Sequence, residues 1–326
     1  MILKIKNSNI TEPMIQSFQL RSEAELSSHL FYSPVRQGLL RRFNEMKKIA
    51  IVLVSVFILI SAVGAHENHY DQRLYDLDRG KETHLSEAVN QLKQNQIILV
   101  GEHHSNKKHH QAQLGVIRAL KEAGIKVAVG LEMFRSDSQQ ALDRWISGDI
   151  GEEKFEQIYY ENWNYPWSAY HMIFEYAREE KIPLIGLNVS RDITRQVSRQ
   201  GFKSLTAAQR GELSNIACRV DKEYMEYIKN AFGGHAHGNL NFNYFCEAQL
   251  VWDNVMAINT LNYVEKYPDT VVVVLTGTGH ARKGAIPRQI RQRSRIPHAV
   301  ILPEVKGMVD AETISTKDAD YIILGL

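Results

Sequence analysis

Short apolar runs separated by amphipathic segments are the main pattern along this chain. Five runs are rich in β-branched residues and barely alternate with polar positions: residues 96–100, 126–132, 182–188, 270–276 and 299–302. Such runs are typical of strands buried on both faces of a parallel sheet. Helix-forming segments lie between them, as at residues 107–123, which Gly124 ends. The alternation predicts an α/β fold with a mostly parallel central sheet flanked by helices.

A long segment between the third and fourth predicted strands has no strand pattern. It covers about 80 residues, far more than one crossover helix requires. Residues 206–232 and 242–264 each have the pattern of a long helix, and the glycine- and histidine-rich stretch 233–238 separates them. We therefore predict a helical insertion, at about residues 200–266, that caps the strand ends as a lid.

The beginning of the chain has the pattern of an export signal. Met46-Lys47-Lys48 precede an apolar stretch at 49–63, and Val63-Gly64-Ala65 supply the small residues of a cleavage site. The stretch is shorter than the roughly 20 apolar residues of a membrane span. We predict a signal peptide at 46–65 and an exported, periplasmic protein. An uncleaved membrane anchor is the alternative, because basic residues flank the stretch.

Residues 1–45 are too long for the charged lead of an export signal. We predict that translation begins at Met46, so that residues 1–45 are a non-native or disordered extension. The folded domain is then expected at residues 76–326.

Composition excludes several classes of protein. The chain has 326 residues, 44% of them hydrophobic, which is enough for one large α/β domain. Lys and Arg number 39 against 37 acidic residues, and no basic and aromatic stripe is present, so nucleic acid is not an expected partner. Cys218 and Cys246 form no CxxC pair, which excludes a thiolate zinc or iron-sulfur site, although a disulfide between them is permitted.

Ionisable residues follow three of the predicted strands. Glu102 and Glu132 lie where two apparently adjacent strands end, and His280 closes the glycine-rich turn after a third. Because ligands bind at the carboxyl ends of strands in open α/β sheets, we expect the three residues to meet there. They could divide into the acid and base of a hydrolase, or Glu102 and His280 could hold a divalent metal with His103. Structural carboxylates bound by backbone amides are the alternative.

Histidine and tyrosine clusters supply further candidate ligands. Four histidines fall within residues 103–110, and a helix that starts near Asn106 would keep His109 and His110 neutral in its first turn. His235 and His237, on the predicted lid, could both reach a metal or a planar ligand, or could simply be solvated. Tyrosines 159–170 are explained by packing for the most part, but tyrosinate is also a known ligand of haem iron.

Four ordered blocks resemble the ChaN family of exported bacterial haem-binding proteins involved in iron acquisition. The resemblance covers roughly residues 76–303. The blocks are Gly101-Glu102-His103 with His109-His110 and Gln113, Leu131-Glu132-Met133-Phe134 with Gln139, residues 245–253 with Met256-Ala257, and Gly277-Thr278-Gly279-His280 with Ile286-Pro287.

The resemblance implies an α/β core with a helical insertion and haem held between two protomers. It also implies a homodimer and a link to outer-membrane haem transport machinery. Haem is thus the expected cofactor. The residues considered for it are His103, His110, Tyr165, Tyr170, His235 and His237.

The wider superfamily implies a second function. Its Tiki-type proteases and erythromycin esterase hydrolyse substrates with Glu and His residues at strand ends, which here would be Glu102, His103, Glu132 and His280. We therefore expect an exported haem-binding protein, with a metal-assisted or carboxylate-dependent hydrolase using Glu102, Glu132 and His280 as the alternative. Many relatives are lipoproteins, whereas no cysteine follows the apolar stretch here, so tethering by lipid is not expected.

Overall fold

One eight-stranded sheet is the centre of the computed structural model, which describes residues 71–213, 216, 218–231 and 241–326. The expectations for residues 1–65, and for His235 and His237, lie outside the described residues. Among the helices that are described, none combines the length and apolar character needed to cross a membrane.

The elements alternate largely as the apolar pattern predicts. The strands are β1 (Arg73–Asp76), β2 (Lys81–His84), β3 (Ile97–Glu102), β4 (Val127–Arg135), β5 (Leu184–Asn188), β6 (Val271–Gly277), β7 (His298–Pro303) and β8 (Tyr321–Ile323). The helices are α1 (Leu85–Leu92), α2 (Lys107–Glu122), α3 (Gln139–Ser147), α4 (Glu152–Asn162), α5 (Trp167–Glu179), α6 (Arg191–Gln200), α7 (Ala207–Glu212), α8 (Lys222–Ala231), α9 (Phe242–Lys266), α10 (Thr278–Ala281) and α11 (Ile286–Arg293), with 3₁₀ turns at Ser136–Ser138 and Phe202–Ser204.

The sheet is mostly parallel, as predicted. Its strand order is β2-β1-β8-β7-β3-β6-β4-β5, and every pair from β8 to β5 is parallel. The hairpin of β1 and β2 pairs antiparallel and extends the sheet beyond β8. The expectation that Glu102 and Glu132 end adjacent strands is wrong, because β6 lies between β3 and β4.

Burial on both faces explains why the core strands are continuously apolar. In β3, Ile98 and Val100 belong to the apolar core on one face, and Ile97 and Leu99 belong to the core on the other. All six residues of β3 are buried. A strand covered by helices on both sides has no solvent face on which to place polar residues.

The helical insertion follows β5 and consists of α6 to α9. Helices α6 and α9 pack on each other through an apolar cluster that includes Ile193, Val197 and Val251. The single long helix expected at residues 206–232 is wrong. Helix α7 ends at Glu212 and α8 begins at Lys222, so two short helices replace it over the described residues.

Side-chain amides cover the backbone of β5, which is an edge strand. Gln139 Nε2 donates to the Leu184 carbonyl (2.8 Å), and Gln139 Oε1 accepts from the Gly186 amide (3.0 Å), as a neighbouring strand would. Asn259 Nδ2 donates to the Leu187 carbonyl (2.8 Å). An open strand edge invites pairing with another chain, so these amides protect this side of the sheet.

Candidate functional site

A cavity of about 560 Å³ lies at the carboxyl edge of the sheet, under helices α6 and α9 of the insertion. Its size is within the usual range for small-molecule sites. The insertion therefore lies over the strand ends as the predicted lid does. The residues that line the cavity are His104, Glu132, Trp163, Asn164, Tyr165, Asn188, Arg191, Thr194, Arg195, Ser198, Phe245, Ala248, Gln249, Trp252 and His280.

Behind the cavity, Glu102 is the centre of a buried hydrogen-bond cluster at the end of β3. Its Oε1 accepts from the Tyr170 hydroxyl (2.6 Å) and from His104 Nδ1 (2.7 Å). Its Oε2 lies 3.1 Å from His110 Nε2. Burial raises the pKa of Glu102, but the hydrogen bond from His104 and the close approach of His110 outweigh burial and lower that pKa to about 2. Glu102 is therefore an ionised anchor for the two imidazoles.

His104 links Glu102 to the cavity, because its ring contacts Glu102 and also lines the cavity. Since Nδ1 donates to Glu102, Nε2 is the nitrogen left to act as a base or a ligand. Burial lowers the pKa of His104, whereas Glu102 and Glu132 raise it, and the net effect is a raised pKa. The ring also lies 5.0 Å from the rings of Trp163 and Tyr165, centroid to centroid.

The turn after β3 places the side chain of His103 in solvent. The Asn106 side chain accepts from the Lys108 amide and caps α2, so the helix starts where the sequence predicts. The His103 amide donates to His109 Nδ1 (2.9 Å), and burial lowers the pKa of His109 to about 4. His109 is thus a neutral structural acceptor, while the His103 side chain is exposed.

Glu132, on β4, lies on the floor of the cavity. Its Oε2 accepts from the Thr276 hydroxyl (2.5 Å) and from the Gly277 amide (2.6 Å), which ties β4 to β6. The β4–β5 register shifts between Leu131 and Arg135, so that Glu132 belongs to a bulge. Bulges commonly redirect side chains at functional sites.

A second carboxylate and imidazole pair approaches Glu132 from the other side. His280, in the short helix after β6, places Nδ1 2.6 Å from Asp253 Oδ1 on α9. The other Asp253 oxygen accepts from the Tyr224 hydroxyl of α8 (2.5 Å). Burial lowers the pKa of His280, but the charges of Asp253 and Glu132 raise it above its ordinary value. Two imidazoles, each bound to a carboxylate, thus flank Glu132.

The structure brings together only some of the predicted site residues. Glu132, His280 and Tyr165 line the cavity, and Glu102 supports it from behind. Tyr170 and His110 are fully buried against Glu102 and do not line it, and His103 points to solvent. The metal set of Glu102, His103 and His280 is not assembled. Over the described ranges, no group of three His, Cys, Asp or Glu residues is arranged to hold a metal ion.

Several site residues are absent from the predicted set. His104 was visible as the second histidine of the strand-end motif, but only the structure shows which of the two faces inward. Asp253 is an acidic residue in a largely apolar part of α9, and that was a detectable signal. Gln249 lies in the family-like block at residues 245–253 but was not singled out there, and Arg195 gave no sequence signal that separates it from other polar helix residues. Gln249 Oε1 is buried and accepts no hydrogen bond from the described residues.

The fold is α/β, with a mostly parallel sheet and a cavity at its carboxyl edge. Residues 88–290 match the family described as haem-binding uptake, Tiki superfamily, ChaN. The chain belongs to this family.

A solved structure supports the same fold. One solved structure, of cofacial haem binding to ChaN of Campylobacter jejuni, is 21% identical over 77% of this chain and 96% of that chain, with a TM-score of 0.61. An erythromycin esterase EreC mutant in its open conformation is 16% identical over 67% of this chain and 72% of that chain, with a TM-score of 0.43. No curated protein sequence matches the chain.

Proposed function

We propose that this protein binds haem in the cavity at the carboxyl edge of the sheet and acts in haem or iron acquisition. Membership of the haem-binding uptake family is the observation that carries this proposal. The chemistry of the cavity lining is consistent with it. Bound haem would supply an iron centre that takes an axial oxygen or nitrogen ligand.

The lining fits a flat, largely apolar disc with acidic groups at its edge. Aromatic rings supply apolar walls: Trp163, Tyr165, Phe245 and Trp252. Arg191 and Arg195 add two guanidinium groups, which bind carboxylates well. Arg195 pairs with Asp192 (3.5 Å), whereas Arg191 is held by Asn164 Oδ1 (2.6 Å) and by the Asn162 carbonyl (2.7 Å). A cation fixed in this way suits the propionate groups of haem.

Tyr165 is our candidate for the axial ligand. Among the tyrosines considered from the sequence it lines the cavity, whereas the Tyr170 hydroxyl is committed to Glu102. The Tyr165 ring is 5.0 Å from that of His104, whose Nε2 is suited to accept a phenol proton. An imidazole beside a phenol favours the phenolate that iron prefers.

Substituting Tyr165 by Phe should weaken haemin binding at least tenfold and change the charge-transfer region of the visible spectrum. The substitution removes the ligand oxygen but keeps the apolar ring. Titrating haemin into the purified full chain and following the Soret band measures both effects. Tyr267→Phe is the matched control, because Tyr267 is exposed and does not line the cavity.

The two possible failures are distinct. If the wild-type chain shows no saturable Soret shift, haem binding itself is wrong. If Tyr165→Phe keeps the affinity and spectrum of the wild type, the protein binds haem but Tyr165 is not its ligand.

The proposal includes export and assembly. We propose that the protein is periplasmic, forms a homodimer around haem and delivers haem to or from outer-membrane transport machinery. The export pattern at residues 46–65 and the family support this setting. Amino-terminal sequencing of the protein from its own host tests cleavage after Ala65. Sedimentation with and without haemin tests the dimer.

A hydrolase is the second candidate, because two imidazole-carboxylate pairs flank Glu132. The roles differ from those expected from the sequence. Glu102 is a poor general base, since its pKa is about 2 and its side chain is buried behind His104. His104 or His280 is better placed to take a proton from water, and Glu132 to orient that water. Gln249 Oε1 offers a further acceptor for a substrate or water.

If the cavity is a hydrolase site, Glu132→Gln should lower ester hydrolysis about a hundredfold and leave haemin affinity nearly unchanged. The amide oxygen of Gln can still accept from Thr276 and Gly277, so the floor should remain folded. Wild-type and variant rates on p-nitrophenyl esters measure the effect. Equal rates, or no turnover by the wild type on a broad ester panel, would count against this function.

A further inference from the structure

Helix α8 delivers one buried hydroxyl to the charged centre of the site. Tyr224 is fully buried and its hydroxyl donates to Asp253 Oδ2, while Asp253 Oδ1 faces His280 Nδ1. Asp253 is itself buried, in a helix whose neighbouring residues are largely apolar. The carboxylate therefore has two partners, one on each oxygen. A buried carboxylate that loses a donor bears the desolvation penalty of an unpaired charge.

We propose that Tyr224 is a positioning residue of the cavity, which acts through Asp253 to fix the orientation of the His280 ring and to moderate its basicity. The inference rests on the proposed function of the cavity, because His280 matters only if the cavity binds or transforms a ligand. Nothing requires Tyr224 to touch that ligand.

Orientation follows from the two-sided contact. A carboxylate held at one oxygen alone can rotate about its terminal bond, and the imidazole bound to it can follow. Tyr224 holds the second oxygen, so Asp253 presents Oδ1 to Nδ1 in one geometry. The imidazole then carries its Nδ1 proton toward Asp253 and keeps Nε2 on the opposite side of the ring. Residues that hydrogen-bond a functional histidine, and the residues that hold them, commonly fix the tautomer and direction of its ring.

Moderation of basicity follows from charge sharing. Asp253 alone would stabilise the protonated imidazole strongly, because the two groups are close and dry. The Tyr224 hydroxyl donates to the same carboxylate and takes up part of its charge, which helps the neutral form of His280 to persist. Burial first, and then Asp253, raise the pKa of Tyr224 well above its ordinary value, so Tyr224 remains a donor at all working pH values.

Other charged or titratable groups face His280 as well. Glu132 of β4 raises the pKa of His280, and it raises the pKa of His104 as well. Tyr227, one turn after Tyr224 on α8, donates to the Gly279 carbonyl. The Trp252 ring of α9 lies edge-on, 5.8 Å from the His280 ring between centroids. The Tyr224 hydroxyl donates its hydrogen bond to Asp253, and its ring lies 6.0 Å from that of Tyr227 between centroids.

The test is an NMR titration of His280 in the full chain with ¹³C-labelled histidine, assigned by loss of its signal in His280→Gln. Tyr224→Phe should raise the pKa of His280 by about one, the size expected for one hydrogen bond to a charged group. Asp253→Asn should instead lower it, because the anion is gone. If the role of Tyr224 were only structural, the pocket would loosen, and the pKa of His280 in both variants would move toward the ordinary value of histidine. An unchanged or lowered pKa of His280 in Tyr224→Phe would overturn the proposal.

A second measurement does not depend on the folding of a variant. Biosynthetic replacement of tyrosine by 3-fluorotyrosine makes each phenol more acidic and a better donor, so the pKa of His280 should fall. A rise or no change would contradict the proposal. Both titrations are made without haem or ester present, so their outcome is separate from whether the protein binds haem or hydrolyses a substrate.

Discussion

Replacing Glu102 by Gln should lower the free energy of unfolding by about 3 kcal/mol near neutral pH, and the difference should disappear as the pH falls toward 2. The pKa of Glu102 lies at about 2 in the folded protein, against an ordinary value of 4.5. Each pKa unit corresponds to about 1.4 kcal/mol. A depressed carboxyl pKa gives stability that is present above 4.5 and is lost as the pH falls through the folded value. Urea unfolding at pH values from 7 to 2.5 measures the difference.

His104, which hydrogen-bonds Glu102, limits the stabilisation at high pH. The pKa of His104 is raised, so its share of the stabilisation is complete below 6.5 and is lost as the pH rises through its folded value. Glu265→Gln, an exposed carboxylate on α9, serves as the control and should change little. A destabilisation by Glu102→Gln that is independent of pH would show that packing, and not charge, holds this cluster together.

The sequence predicts those parts of the fold whose burial is uniform. The runs that became β3 and β6 are covered on both faces, so apolar character alone identifies them. The strands β1, β2 and β8 are three or four residues long, and Lys81, Glu82 and His84 of β2 are exposed. Strands as short as these have no periodicity to detect, and pairing with a distant partner creates them.

Strand order is likewise beyond the reach of local patterns. The chain places β6 between β3 and β4, although about 135 residues separate β6 from β4 in sequence. The strand-end rule still predicted that Glu102, Glu132 and His280 would share one edge, because it depends only on parallel direction. It could not predict that His280 would follow β6, which lies between β3 and β4, and would therefore lie near Glu132.

Side-chain direction explains the errors within the site. Alternation holds inside β3, but the chain leaves the strand after Glu102, and the turn before the Asn106 cap decides which histidine faces inward. His104 therefore takes the position expected for His103. Asp253 and Tyr224 come from separate helices of the insertion, and their contact appears only when α8 and α9 are packed together. Tertiary partners of this kind leave no signature in a single sequence.

Substituting Gly186 by Ala should destabilise the protein by about 3 kcal/mol or more, because the new methyl group would enter occupied backbone space. A Cβ at this position would lie 2.3 Å from the Arg135 carbonyl oxygen and 2.9 Å from the Arg135 carbonyl carbon. A side chain could rotate away from such a contact, whereas these backbone atoms are fixed by pairing of β4 with β5. Urea unfolding measures the loss.

The same substitution should also disturb the cavity, since Gly186 allows the bulge that presents Glu132. Leu131 pairs with Gly186 and Arg135 with Asn188, so β4 has two more residues than β5 in this interval, and Glu132 is the first residue after Leu131. Moving Arg135 outward must shift the cavity floor around that carboxylate, so haemin binding by any folded variant should weaken because the shape of the cavity changes. Gly211→Ala is the control, because it lies in α7 with open space around it and should be neutral or slightly stabilising. Wild-type stability in Gly186→Ala would mean that the bulge can relax, and that the position of Glu132 does not depend on this close approach.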